Sequence, residues 1–388
     1  MAKALEKTEF FQNGWEIKTK DVKLFITEKG GHIGPVIFYT QSKAPVSPYY
    51  ISPWQCEKHK NFPEPVLEPL RGDFFCMPFG ANAEEFNGEK HPCHGEAGSA
   101  KWCFLDYSEK ASFVKLTLEM KTKIRHGKIT KIIILANNEN VIYSSHILEG
   151  FSGSMPVGHH AMFSVPMEER SIYVSTSPFQ LGMTNPVLFS DPRNKEYQSL
   201  GINKIFSSLE KVSTLWKEPA FADCSEFPQR YGFTDLFQIF KKTTTKPAWI
   251  VAVFKKEGFL WFSLKDASVL PGTVFWISNH GRHSFPWNGR NSCLAFEDTC
   301  SYFAEGLKAS VKKNSINKLG FHTSLKLCPT KPTIINYIQG VVKIPNNFGN
   351  KVKNIVFGKD EISFVSTKGC KVNSKVHHSF LYDSEKCL

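Results

Sequence analysis

The sequence predicts a mainly-β, antiparallel protein, and three observations carry that expectation. Its apolar stretches are short, and the clearest of them alternate apolar with polar residues, the two-residue period of a half-buried strand. Aromatic residues make up 13% of the chain and phenylalanine alone occurs 33 times, a composition that favours pleated surfaces and pockets over long helices. Polar turn clusters such as Asn137-Asn138-Glu139-Asn140 separate successive runs, as in a meander.

In chain order, Val22 to Tyr39 reads as a hairpin whose Glu28-Lys29-Gly30-Gly31 connection supplies the positive φ of a tight turn. Gln41 to Pro63 is a Pro- and Ser-rich loop. Phe113 to Met120 alternates, with Val114, Leu116, Leu118 and Met120 on one face and Lys115, Thr117 and Glu119 on the other, and predicts a strand solvated on one side. Ile129 to Ala136 and Val141 to Leu148 continue the meander. Ser171 to Thr176 is a further strand, Glu196 to Trp216 a short helix and Pro219 to Arg230 a loop. Phe233 to Phe240, Ala248 to Phe254, Gly258 to Leu264 and Val274 to Ser278 are strands again. Residues 1–307 read as one β-rich unit without an internal linker. Residues 308–388 carry short strands of their own, as an accessory unit or as closing strands of the main body.

With 388 residues and 41% hydrophobic content, the chain can bury a large core. Its net charge of +12 is not a nucleic-acid signature, because the fourteen lysines from Gly306 onward are spread singly, against four acids. No run of eighteen apolar residues and no hydrophobic leader occur, so no membrane partner is expected and the location is expected to be cytoplasmic. The protein is expected as a monomer or homodimer. Ten cysteines without a Cys-x-x-Cys pair indicate neither a disulfide framework nor a zinc ribbon. His91 and His94 around Cys93 lack a second ligand pair, so no metal is expected. Neither a phosphate-binding glycine loop nor a Gly-x-Ser-x-Gly elbow is present.

Three separated segments carry groups suited to proton transfer. Pro69 to Trp102 places Arg71 and His94 on neighbouring loops. Val157 to Phe163 (VGHHAMF) holds His159 and His160, and Cys293 to Thr299 (CLAFEDT) holds Glu297. A histidine and a carboxylate are the minimum equipment for moving protons across one substrate.

These segments resemble the galactose-mutarotase-like, or aldose 1-epimerase, superfamily. PLRGDFF with MPFG resembles the Arg-Gly-Gly-x-Pro segment of its hexose-6-phosphate mutarotase branch. CHGEA before Trp102 resembles its His-Gly-x-Ala element, GHHAMF its Asn-His-x-Tyr-Phe element, and LAFEDT its Glu-Pro element. The resemblance spans roughly residues 20 to 307 and implies an antiparallel β-supersandwich, to which residues 308–388 would add a small C-terminal β extension. It also implies a small-molecule partner, an aldose or sugar phosphate, and acid-base ring opening without a cofactor.

By this resemblance Glu297 is the base at the C1 hydroxyl and His160 the acid at the ring oxygen, on either side of one pyranose. His94 would hydrogen-bond near them, and Arg71 would position hydroxyls or fork onto Glu297. His159 competes with His160, since neighbours on a strand face opposite ways; Phe163, at the family spacing, selects His160. Asp235 is a further candidate for holding hydroxyls. Arg282 and Trp287, from the loop Ser278 to Arg290, would supply a cation and an aromatic platform. Asp73, Met162 and Asp298 depart from the family pattern. The alternatives are a catalytically silent sugar-binding protein, or a polysaccharide lyase or glycoside-processing enzyme on the same fold.

Overall fold

The structure, a computed structural model, describes residues 5–59 and 61–383. Among these residues two large antiparallel sheets face one another. The nine-stranded sheet runs, edge to edge, through Glu226–Phe227, Ile172–Thr176, Ala248–Phe254, Phe259–Lys265, Thr333–Lys343, Val141–Glu149, Gly127–Ala136, Phe113–Thr122 and Cys103–Glu109. The eight-stranded sheet runs through Ile205–Phe206, Leu181–Thr184, Phe233–Phe240, Gly272–Asn279, Ser292–Cys300, Val157–His159 and Phe75–Cys76, with Ala161–Ser164 also pairing with Ser292–Cys300. No helix among the described residues is long and apolar enough to cross a membrane.

The alternation in the sequence becomes the layering of the molecule. Leu116, Leu118, Ile129 and Ile133 from one sheet meet Phe275, Phe296 and Leu294 from the other in the main core. Lys115 and Glu119 of the same strand stay half exposed, whereas Thr117 is buried. Ala248–Phe254 and Phe259–Lys265 are apolar on both faces for a reason lying farther along the chain. Val352–Phe357, Glu361–Ser366 and Lys371–Lys375 form a three-stranded sheet whose Ile355, Ile362 and Phe364 pack with Val251, Leu260, Phe262 and Leu264. Strands buried on both faces read as continuous apolar runs.

The chain after residue 307 contributes strands at two places. Thr333–Lys343 pairs with Phe259–Lys265 on one side and Val141–Glu149 on the other, in the middle of the large sheet, while the last three strands form the outer layer. Two short helices, Leu307–Val311 and Ser315–Lys318, join the parts and have no counterpart in the sequence reading.

The helix expected over Glu196 to Trp216 does not form. Long-range partners take its backbone groups: the Ser199 and Leu200 N–H groups donate to the Asp235 carboxylate, both at 2.7 Å, and Gly201 N–H donates to the Ser213 carbonyl. Asn203 has φ 56°, which no α-helix accommodates. The loop expected over Pro219 to Arg230 contains two-residue strands, Phe221–Ala222 and Glu226–Phe227.

Charged groups are sealed between the sheets. Lys265 Nζ lies 2.6 Å from Asp298 Oδ1, with both side chains at most 1% exposed, and Ser263, Thr273 and Tyr337 hydroxyls also donate to that carboxylate. Burial alone would raise the Asp298 pKa, but Lys265, Thr273 and Ser263 outweigh it and hold the group below its ordinary range. Asp298 thus faces the interior, opposite in direction to Glu297. Removing one partner of such a pair strands the other charge without water, so Lys265→Met should destabilise the fold by about 3–5 kcal/mol, read as a lower urea midpoint.

Candidate active site

The site is set by register on the outward face of the eight-stranded sheet. Gly158 pairs with Thr299 and Ala161 with Phe296, and continuing that register places His160 opposite Glu297. Their side chains meet, His160 Nε2 to Glu297 Oε1, at 3.3 Å. Leu236 and Trp276, on the two strands beyond, complete the floor of a cavity of about 260 Å³. Its walls come from loops, with Glu64, Leu67 and Leu70 on one side and Phe189, Arg282, Phe285 and Trp287 on the other. The volume lies just below the roughly 300–1,000 Å³ of pockets for larger ligands, so it suits one small ring.

Asp73 and Phe74 hold His160 from below. The Asp73 carboxylate accepts the His160 backbone N–H at 3.0 Å, while its other oxygen lies 3.0 Å from His159 Nδ1 and 2.8 Å from the Gln339 amide nitrogen. Phe74 lies between two imidazoles, 4.0 Å from the His32 ring and 4.8 Å from the His160 ring, with all three nearly parallel. His94 stands edge-on to His160 at 4.9 Å. It adopts φ 58° and is followed by Gly95 at φ 75°, where a Cβ would come within 1.9 Å of the Met77 carbonyl oxygen. A non-glycine residue held in the left-handed region is a cost commonly met at functional positions.

Burial governs the protonation states. It pushes the Glu297 carboxyl well above its ordinary range, opposed by the Arg282 charge. Burial first, then the neighbouring His94 and His32, pushes His160 well below the ordinary imidazole value. His94 is lowered to about 4 by burial and is neutral at pH 7. Both shifts favour uncharged partners, a protonated Glu297 beside a neutral imidazole. Glu297 Oε2 and Trp276 Nε1 are buried without a hydrogen-bond partner among the described residues. Such groups cost about 1–3 kcal/mol each when unsatisfied.

Arg282 is also at the cavity, its guanidinium carbon 5.2 Å, 5.3 Å and 5.8 Å from the ring centres of Phe189, Trp287 and Trp276. Its Nε lies 3.4 Å from Glu196 Oε1. The cation is thus fixed by aromatic faces and one acid.

Of the residues singled out in the sequence, His94, His160, Arg282, Trp287 and Glu297 surround this cavity. Three others require correction. Arg71 is fully buried away from it, donating to the Pro69, Glu9 and Phe10 carbonyls and to Gln55, so no fork onto Glu297 exists. Asp235 points the other way from its neighbour Leu236 and is saturated by Ser199 and Leu200. His159 faces the inter-sheet core, bonded to Asp73 and stacked 4.1 Å from Tyr337. His91 pairs with Glu89 at 2.9 Å and is not among the residues lining the cavity. Trp276, Phe74 and Glu64 escaped the sequence reading. Strand alternation puts Trp276 on the Glu297 side, a usable signal; Glu64 in its loop offers none.

No protein-family model matches this sequence, and no curated protein does. Solved structures do match. A galactose mutarotase-like protein from Clostridium acetobutylicum aligns with TM-score 0.60 at 10% identity over 88% of this chain and 99% of its own. A galactose mutarotase related enzyme from Lactobacillus acidophilus aligns with TM-score 0.54 at 12% identity over 85% and 97%. An Escherichia coli K12 protein provisionally described as an aldose 1-epimerase aligns with TM-score 0.55 at 11% identity over 85% and 99%. Identities this low speak to architecture alone, and the architecture agrees with the two facing antiparallel sheets, so the chain has the galactose mutarotase-like β-supersandwich fold.

Proposed function

We propose that this protein interconverts the anomers of an aldose, with His160 and Glu297 as the acid-base pair. The observation that carries the reading is their 3.3 Å contact on the floor of a one-ring cavity. Ring opening needs two proton movements at one carbon. The base takes the proton of the C1 hydroxyl, its electrons form the C1 carbonyl, the bond from C1 to the ring oxygen breaks, and the acid protonates that oxygen. Rotation about C1–C2 and the reverse steps give the other anomer.

Both oxygens are attached to C1, so an acid and a base serving them belong side by side. The expectation that the pair would flank the ring from opposite sides is replaced by this arrangement. One shared proton suffices: after opening, acid and base have exchanged states, and closure restores them. Burial favours the state with a protonated Glu297 and a neutral imidazole at rest. His94 and the Trp276 N–H are placed to bond the ring oxygen or a neighbouring hydroxyl, and Trp276 and Trp287 offer faces to the sugar's C–H groups. Reach of both groups to one ring supports catalysis over silent binding.

The test is polarimetry or proton NMR of freshly dissolved pure anomers over a panel of free and phosphorylated aldoses. At least one should reach anomeric equilibrium at a rate proportional to protein concentration. Rates equal to the buffer blank for the whole panel would remove the proposal.

A further inference from the structure

The hairpin tip at Phe10 and Phe11 is built from the wrong residues for its shape. Glu9 pairs with Gln12, so these two residues make the whole turn, and their φ angles are 49° and 59°. A two-residue turn with both φ positive normally takes Asn-Gly or Asp-Gly, because a bulky side chain is disfavoured there. Two phenylalanines also leave apolar surface in water, with exposures of 37% and 57%. Arg71 lies 5.6 Å from the Phe10 ring and Lys58 5.7 Å from the Phe11 ring, yet both rings stay exposed, and an outlier of this kind points toward a function.

The two rings border a second cavity of about 310 Å³, faced by Trp54, His59 and Phe62. It is one side-chain layer from the first. Trp54 packs edge-on to Trp287 at 4.9 Å, and Phe62 stacks on Phe285 at 5.8 Å; Trp287 and Phe285 line the first cavity. Phe285 is 39% exposed, so the rim at Phe62 and Phe285 is aromatic and partly solvent-facing, while Trp54 and Trp287 are buried beneath it. Gln12, Lys58 and Glu68 frame the aromatic surfaces. Flat rings edged by amide and charged groups match a pyranose, which presents C–H faces and a girdle of hydroxyls.

We propose that the second cavity is a subsite for the adjoining sugar residue of a disaccharide or longer saccharide whose reducing end occupies the first, with the glycosidic link crossing the Phe62–Phe285 rim. This rests on the first cavity being the anomer-exchanging site, and it makes the substrate class a reducing saccharide of two or more rings.

The experiment compares glucose with maltose, cellobiose and lactose, which share a reducing-end glucose, in wild type and in the Phe10→Asn/Phe11→Gly variant, whose turn suits the backbone and should fold at least as well. In wild type, kcat/KM for anomer exchange of at least one disaccharide should exceed that of glucose about tenfold. In the variant it should fall to the glucose value while glucose itself is unchanged. Disaccharides no better than glucose in wild type, or an equal loss for both in the variant, would overturn the subsite. If no saccharide is turned over, the anomer-exchange reading has failed and saturation-transfer NMR decides the subsite separately. Transfer to protons of the non-reducing ring that disappears in the variant supports it, and absence of such transfer in wild type overturns it.

Discussion

Glu297→Gln should slow anomer exchange by about 10²–10⁴-fold, the usual worth of a positioned acid-base group, and at the same time make the protein more stable at pH 8. Gln keeps the shape but cannot exchange a proton with His160. The stability gain follows from burial, which raises the Glu297 pKa in the folded state. A folded state that binds its proton more tightly loses stability as pH rises above the unfolded carboxyl value, and below that value nothing is lost. The urea midpoint of the variant should therefore exceed that of wild type at pH 8, and the difference should shrink as the pH falls toward 5. His160→Asn should cost comparable activity. His159→Asn should leave the rate near that of wild type while lowering stability by about 1–3 kcal/mol, because the buried Asp73 carboxylate loses a partner.

Acid should destabilise this protein well before its surface carboxylates are neutralised. Burial lowers His32 to about 3 and His94 to about 4, and it pushes His146 and His160 well below the ordinary range. These groups are neutral when folded and take up protons more readily when unfolded. The stability they permit is fully present above the unfolded value near 6.5 and is lost as pH falls toward the folded values. Each contributes up to ~1.4 kcal/mol per pH unit, so His32 and His94 alone remove ~5 kcal/mol between pH 6.5 and 4.5. Total stability for a fold of this kind is typically 5–15 kcal/mol. Urea midpoints followed by circular dichroism should fall steeply across that interval and vanish near pH 4. Among the described residues His146 has no hydrogen-bond partner on either nitrogen, and it stacks 4.0 Å from Phe75; His146→Leu should reduce the slope by about one proton. A midpoint unchanged from pH 7.5 to 4.5 would contradict this account.

What could be read from the sequence follows the period of the backbone. Where one face meets solvent, as in Phe113–Thr122, alternation reveals both the strand and its buried side, and the same parity separates His160 from His159 and Glu297 from Asp298. Parity also places Trp276 beside Glu297. Residues outside regular strands obey no such rule. Arg71 sits among the motif residues, yet its guanidinium is consumed by carbonyls of the Glu9–Phe10 turn, more than sixty positions earlier. Asp235 caps the backbone of Ser199 and Leu200, which is also why the expected helix from Glu196 dissolves into bends. The central place of Thr333–Lys343 in the large sheet is a long-range pairing that local pattern does not encode. Arg282 and Trp287 were legible only as a loop mixing cations with aromatics; the cage they form depends on Phe189 and Trp276 arriving from elsewhere.

The most direct test of the shared-proton pair is two-dimensional exchange NMR of an accelerated aldose labelled at C1, with wild type, Glu297→Gln, His160→Asn and the double variant under one set of conditions. Groups that act as a unit lose their contribution once. The account predicts strong anomer cross-peaks with wild type, near-blank exchange with either single variant, and no further loss in the double. Exchange that persists in Glu297→Gln, or two partial losses that multiply in the double variant, would contradict it.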